Sequence, residues 1–450
     1  MDFSLSSDQR LIKDSVDSFV ADNYDFAKRD KLSRTDDGFS KAHWKAMADL
    51  GWFGLAFPEE KGGFGGTPVE TMILMEAFGK GLVLEPYLPS VILAGTALAH
   101  GGTTAEHAQR LEAMIGGEQI LTFASAEPRS RYDYTYVTTT AKRDGSDYVV
   151  DGEKRAVPFA AAAGAYVVTV RTSGEAHAAQ GLSLALVDAD APGITRRDYR
   201  TVDGQRASDV TFAGVRVPAS AIIGEPGEAL PTLDLVVDHG IGALAAESVG
   251  LMSVMQKTTT EYLKQRHQFG VPIGSFQALQ HKNVDMLIEA EMARSITFYG
   301  TMALLSETDP VQRKRALSAT KVQIARSGRF VGQNAIQLHG GIGMSEEYFV
   351  GHYFKRMTMI EQLLGDVDYH LKRYLAGEPA LHVDARTNGH ANGTARPGAE
   401  GEPKSSAPPG VPERAPPHAT SERGPETGAS FCYVRTDKWA SRPEFGTSGF

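Results

Sequence analysis

Apolar residues along the chain change their spacing twice, and that change limits the folds open to it. Up to about residue 120 they recur at helical spacing. From about Leu121 to residue 228 they alternate with a period of two, and after Pro231 helical spacing returns over long uninterrupted stretches. No helix-length segment separates the β-like runs, so they are expected to form an antiparallel sheet or small barrel rather than a parallel sheet with crossover helices.

Local signals sharpen this outline. Ser6 or Ser7 can cap a helix bearing Leu11, Ile12, Val16, Phe19 and Val20, and Ser40 precedes a shorter one carrying Trp44, Met47 and Leu50, which Gly51 is placed to end. Thr67-Pro68-Val69-Glu70 reads as a capping box with proline at the first helical position. Strands are expected over Val137–Lys142, Tyr148–Val150, Tyr166–Arg171, Leu182–Val187, Val210–Phe212 and Val215–Val217, with turns at Asp144-Gly145, Asp151-Gly152 and Asp203-Gly204. Helices should then run to about Gln265, along a stripe of Val284, Ile288, Met292 and Ile296, over about Val311–Gln337, and from about Glu346 to Tyr374. Long helices with short connections imply an antiparallel bundle.

The fold class is therefore α+β, mainly α. An N-terminal helical domain (1–120), a middle antiparallel β domain (121–228) and a C-terminal four-helix domain (229–377) precede a segment (378–450) rich in Pro, Gly, Ser and charge, which should be a disordered tail.

Composition removes several function classes. A net charge of −9 argues against a general nucleic-acid surface, and no uncharged apolar run looks long enough to span a membrane. Cys432 is the only cysteine, so one chain can form neither a disulfide nor a thiolate metal cluster. His239, His339 and His352 have no partner at metal-ligand spacing, and no metal site is expected. With no secretory signal pattern at the start, a cytoplasmic location is expected.

The most informative stretch is Tyr262-Leu-Lys-Gln-Arg266-His-Gln268-Phe269-Gly270-Val-Pro272-Ile-Gly-Ser-Phe276-Gln277-Ala-Leu-Gln280, the end of one long helix, a Gly/Pro loop and the start of another. Arg266 offers a planar cationic fork suited to a phosphate, and Gln277 stands where a helix N-terminus favours an anion. The paired glycines Gly340 and Gly341 allow a backbone to approach a ligand closely.

This stretch resembles one signature of the acyl-CoA dehydrogenase family, and Gln337-Leu338-His339-Gly340-Gly341-Ile342-Gly343-Met344 resembles a second in its expected place. The resemblance spans about residues 1–376 and is nearest to the small subunits of pimeloyl-CoA-dehydrogenase-like pairs. It implies FAD as cofactor, held by Arg266 at the pyrophosphate across a subunit boundary. Gln268, Phe269, Phe276, Gln277, Gln337, Leu338, Gly340 and Gly341 would hold the rest of the adenosine half. It also implies an acyl-CoA substrate, an acceptor like electron-transfer flavoprotein, and a homo- or heterotetramer with a second acyl-CoA dehydrogenase subunit. The family reaction is α,β-desaturation: a carboxylate takes the α-proton while the flavin accepts the β-hydride.

Three departures from the family pattern matter. Ala126-Glu127-Pro128 stands for Thr-Glu-Pro, with Arg131-Tyr132-Asp133 for Gly-Ser-Asp. Ala156-Val157-Pro158 stands for the Trp-Ile-Thr that packs on the flavin. The two positions where the family places its base correspond to Gly365, nine residues after Arg356, and Gly240, ahead of Ala245–Gly250; the nearest acids are Asp366 and Asp238. Three readings stay open: a self-sufficient dehydrogenase with a displaced Asp base, a non-catalytic FAD-supporting partner subunit, and a flavin-dependent oxygenase or binding protein on the same fold.

Overall fold

The computed structural model describes residues 5–376, so the expected disordered tail and Cys432 lie outside the described residues. The first helices are α1 (Ser7–Asn23), α2 (Phe26–Ser33), α3 (Lys41–Asp49) and α4 (Pro68–Gly81). Capping decides where they start. The Ser6 side chain accepts from the Gln9 amide while Gln9 returns a bond to the Ser6 amide, and Thr67 and Glu70 form the same reciprocal box. Gln9 also donates to Glu70 at 2.8 Å, which ties α1 to α4. A wide-turn helix at Leu88–Gly95 runs into α5 (Thr96–Gly101), and α6 (Ala105–Ile115) completes this part.

Eight strands follow in one sheet, ordered β6-β7-β3-β2-β4-β5-β8, with β1 added beside β4. They are β1 (Leu121–Ala124), β2 (Thr140–Asp144), β3 (Asp147–Pro158), β4 (Ala165–Arg171), β5 (Leu182–Asp188), β6 (Ile194–Arg200), β7 (Arg206–Pro218) and β8 (Ile222–Ile223). Pairing is antiparallel except where β1 and β2 meet β4 in parallel. Asp144-Gly145 is the expected hairpin turn, and Asp203-Gly204 lies in the turn between β6 and β7. Asp151-Gly152 differs from its expectation: it lies inside β3 at a register shift, where Gly152 is pressed against Thr139. Val210–Phe212 and Val215–Val217 are one strand, β7.

The chain then forms α7 (Leu230–Gln265), a two-residue-stranded hairpin of β9 (His267–Gln268) and β10 (Val271–Pro272), α8 (Gln277–Ser306) and α9 (Pro310–His339). Among the described residues α7 is the one helix long and apolar enough to cross a bilayer, and 89% of its apolar window is buried by its neighbours. It crosses α4 at backbone contact: a Cβ on Gly250 would lie 2.1 Å from the Glu76 carbonyl oxygen, and one on Gly79 would lie 2.1 Å from that of Glu247. Only glycine permits this approach.

One expectation needs correction here. The stretch from Glu346 to Tyr374 is two helices, α10 (Val350–Gln362) and α11 (Val367–Ala376), separated by a turn in which Leu364 (φ 58°) and Gly365 (φ 114°) are left-handed. On α8, Val284 and Ile288 are each 52% exposed and Met292 also faces outward, while Ile296 packs against the core; the inner face carries Met286, Ala290, Ala293 and Thr297. Helical periodicity marks an apolar face without saying what covers it.

Candidate flavin and acyl-CoA site

A cleft opens where the N-terminal helices, the sheet and the C-terminal helices meet. One wall is apolar: Met75 and Phe78 from α4, Tyr87 and Leu93 beyond it, Pro158 and Phe159 at the end of β3, and Met359, Leu363 and Leu364 at the end of α10. The other wall is polar, with Glu85, Asp203, Gln205, Arg206, Glu247 and Arg356.

Arg356 organises the polar wall. Its guanidinium donates to both Glu247 oxygens at 2.6 and 2.9 Å, and to Asp203 at 2.9 Å, joining α10, α7 and the β6–β7 turn. Burial opposes its charge, but the two carboxylates outweigh that and keep it cationic. From the N-terminal helices Arg29 donates to the Asp203 carbonyl at 3.0 Å, while Arg206 reaches back to the Ser33 and Asp36 carbonyls. Glu85 accepts from the Tyr24 hydroxyl and, at 3.2 Å, from the Ser40 amide. Each carboxylate lining the cleft is therefore already engaged. In the sequence Arg356 served only as the reference point for Gly365; its partners are remote in sequence and had no local signal.

The sheet side is shaped by a bulge. Ala156 sits at a left-handed φ of 51°, and its amide donates to Asp209 at 3.2 Å; Arg155 and Tyr199 also hold that carboxylate, at 2.7 and 3.0 Å. Nearby, Glu127 accepts from the Thr138 and Thr139 amides and from Lys154 at 2.8 Å, with Lys154 fully buried. Burial alone would raise the Glu127 carboxyl; Lys154 and these donors override it and hold it at about 2. Burial draws Lys154 down to about 8, so both partners stay charged at neutral pH. Neither Ala156 nor Pro158 offers a side-chain hydrogen-bond donor to a flavin ring.

Of the two positions that the resemblance gives for the base, Gly240 packs against the residue that precedes the other. A Cβ on Gly240 would meet Leu364 Cδ1 at 2.5 Å and Leu93 Cδ2 at 2.7 Å, and Leu364 immediately precedes Gly365. Hydrocarbon fills the place where the two approach. Asp238 stands two residues from Gly240, hence on nearly the opposite side of α7. It is completely buried between Arg313 (3.0 Å) and Arg373 (2.6 Å). Asp366 caps α11, accepting from the Tyr369 amide at 2.8 Å. Glu361, another nearby acid, pairs with Arg329.

The two signature segments lie together at the far end of α7. Tyr262 stacks on His339 with ring centroids 4.5 Å apart, bringing Arg266 and the hairpin beside Gln337–Gly341. Arg266 makes no side-chain bond among the described residues, and Gln268, Gln277 and Gln337 are exposed. Phe269 is 91% exposed and meets Phe276 edge to face at 6.2 Å. Leu338 is buried beneath, and Cβ atoms added to Gly340 or Gly341 would meet nothing within 4 Å. A cation, amide side chains, exposed rings and an open glycine pair fit the adenosine diphosphate half of FAD. Their outward placement suits a group shared with another subunit.

Comparison with known proteins agrees with this arrangement. Models of the acyl-CoA dehydrogenase N-terminal, middle and C-terminal domains match residues 6–118, 122–215 and 236–376. The probable acyl-CoA dehydrogenase YngJ of Bacillus subtilis is 30% identical over 372 residues, covering 80% of this chain and 95% of that protein. A variant of the Tcur3481-Tcur3483 steroid ACAD is 28% identical with a TM-score of 0.74, covering 83% of this chain and 98% of that one. The ChsE4-ChsE5 complex from Mycobacterium tuberculosis is 25% identical with a TM-score of 0.76, covering 84% and 100%. With its three-part fold, its two signatures and a relative matched over nearly full length, the chain belongs to the acyl-CoA dehydrogenase family.

Proposed function

We propose that this chain is an FAD-supporting subunit of an acyl-CoA dehydrogenase assembly, and that a partner chain carries the base. The carrying observation is the convergence of Gly240 and Leu364. Where the family's base positions approach one another, this chain has hydrocarbon, and Glu85, Asp203 and Glu247 in the cleft are held by other groups. Abstracting an α-proton needs a carboxylate within hydrogen-bond reach and able to accept.

Bound FAD supplies the hydride acceptor for desaturation of an acyl-CoA thioester. In this reading Arg266 meets the pyrophosphate; Gln268, Phe269, Phe276, Gln277, Gln337, Leu338, Gly340 and Gly341 hold the adenosine half. The cleft shields the ring from water with Met359, Leu363 and Phe159. The outward apolar face of α8 supports assembly, since an exposed stripe of this kind marks a contact surface. An electron-transfer-flavoprotein-like protein serves as acceptor, and a pimeloyl-CoA-dehydrogenase-like pair is the nearest form of assembly.

Co-expression with a second acyl-CoA dehydrogenase chain that retains the glutamate tests the reading. The pair should purify together, carry FAD and desaturate an acyl-CoA. A pair that fails to associate, beside a lone chain fully loaded with flavin and active, overturns it.

A further inference from the structure

The turn between α10 and α11 places Leu363 and Leu364 on the cleft wall, and its backbone is expensive to satisfy. A helix that stops leaves its last carbonyls without intrahelical donors. Here two side chains from other helices take carbonyls of the last turn of α10 and of the segment just beyond it. Lys321 Nζ, on α9, donates to the carbonyls of Ile360 (2.8 Å), Glu361 (3.0 Å) and Gly365 (2.8 Å). His370 Nε2, on α11, bonds the carbonyl of Leu364 at 2.9 Å.

We propose that Lys321 and His370 are positioning residues for the 363–365 segment, fixing the cleft wall that a bound flavin and acyl group would meet. Lys321 is fully buried on the apolar face of α9, in line with Leu317 and Ile324. For packing alone a hydrocarbon would serve better there, because burying an ammonium costs several kcal/mol. Three carbonyl acceptors use all three N–H groups of the ammonium, whereas a neutral amine has two, so the full clamp requires the charge. Burial pushes Lys321 down to about 7, with Asp366 pulling the other way. His370 is held neutral, burial and the Lys321 and Arg373 cations driving it down to about 3. Nε2–H then donates to Leu364, and Nδ1 accepts from the Ser318 hydroxyl at 3.4 Å. Gly365 completes the device, since a Cβ there would lie 2.5 Å from the Tyr369 ring and 2.6 Å from His370 Nε2.

The flavin consequence rests on the function proposed above; the clamp itself does not. The test uses the FAD-loaded assembly with Lys321→Met, Lys321→Arg and His370→Asn, read by hydrogen–deuterium exchange, the visible flavin spectrum and FAD affinity. Exchange over 361–368 should rise roughly tenfold in Lys321→Met, while the sheet and α7 keep their protection. The flavin band should shift and FAD bind several-fold more weakly, with Lys321→Arg restoring part of both. If Lys321→Met fails to fold, His370→Asn reads the Leu364 contact alone. Unchanged local exchange in a folded variant, or faster exchange with an unaltered flavin spectrum and affinity, overturns the proposal. Wild-type assembly lacking FAD contradicts the functional reading instead, and local exchange then decides the clamp.

Discussion

A Cβ on Gly240 of α7 would lie 2.5 Å from Leu364 Cδ1, in the turn between α10 and α11. Glycine at one position and leucine at the other are thus a matched pair, with the branched side chain filling the hollow the glycine leaves. Close-packed interiors tolerate such a pair only together.

That coupling predicts the outcome of changing either residue. Gly240→Ala should destabilise the protein by about 1–3 kcal/mol through overpacking. Leu364→Ala introduced with it should recover part of the loss, which a denaturant-unfolding double-mutant cycle measures. Strict additivity of the two changes would argue that they do not touch.

Asp238 should matter to stability. It lies completely buried between Arg313 and Arg373, so Asp238→Asn leaves two cations without their counter-ion. Removing one partner of a buried ion pair costs about 3–5 kcal/mol. Thermal unfolding should show the loss, and a folded variant with unaltered melting temperature would contradict it.

Replacing Arg266 with Ala should strip FAD from the assembled protein. The loss of a charge-assisted phosphate contact that leaves its partner unpaired costs about 2–5 kcal/mol. Retained-flavin absorbance after gel filtration checks this. Full flavin and undiminished activity in Arg266→Ala would rule out the phosphate role.

Acid should destabilise the fold earlier than its carboxylates alone would. Burial drives His239 down to about 4 and His370 to about 3, from an ordinary 6.5. Unfolded, both take up protons once the pH falls below about 6.5; folded, they do not. The stability they contribute is therefore full above that value and lost progressively toward pH 4 and 3. Glu127, held at about 2, adds its own loss only below its ordinary 4.5. Urea midpoints should fall between pH about 6.5 and about 5, with a shallower slope in His370→Asn. A flat midpoint across that window would contradict the assignment.

Much of the frame was legible because its signals are local. Ser6 with Gln9, Thr67 with Glu70, and the sustained helical periodicity of α7 are each read from neighbouring residues along the chain. The edge strand β6 was not legible, because Thr195, Arg196, Arg197 and Asp198 are exposed and break the apolar alternation. The turn at Leu364 was hidden for a different reason: leucine has no preference for a left-handed φ, and the groups that hold it there, Lys321 and His370, act from other helices. Of the candidate site, the two signature segments could be read as contiguous words. The Arg356–Glu247–Asp203 network could not, since it forms only when three distant segments meet. Lys321 left one usable trace, a lysine on an otherwise apolar helical stripe.

The most direct measurement is dye-coupled dehydrogenation of an acyl-CoA series by the purified single chain, beside its Asp366→Asn and Asp238→Asn variants. With Gly240 and Gly365 lacking side chains and Leu364 packed beside Gly240, the lone chain should show little turnover, and activity should arise only with a partner bearing the glutamate. Robust turnover by the lone chain, abolished by Asp366→Asn or Asp238→Asn in a folded protein, would contradict the account and name the base.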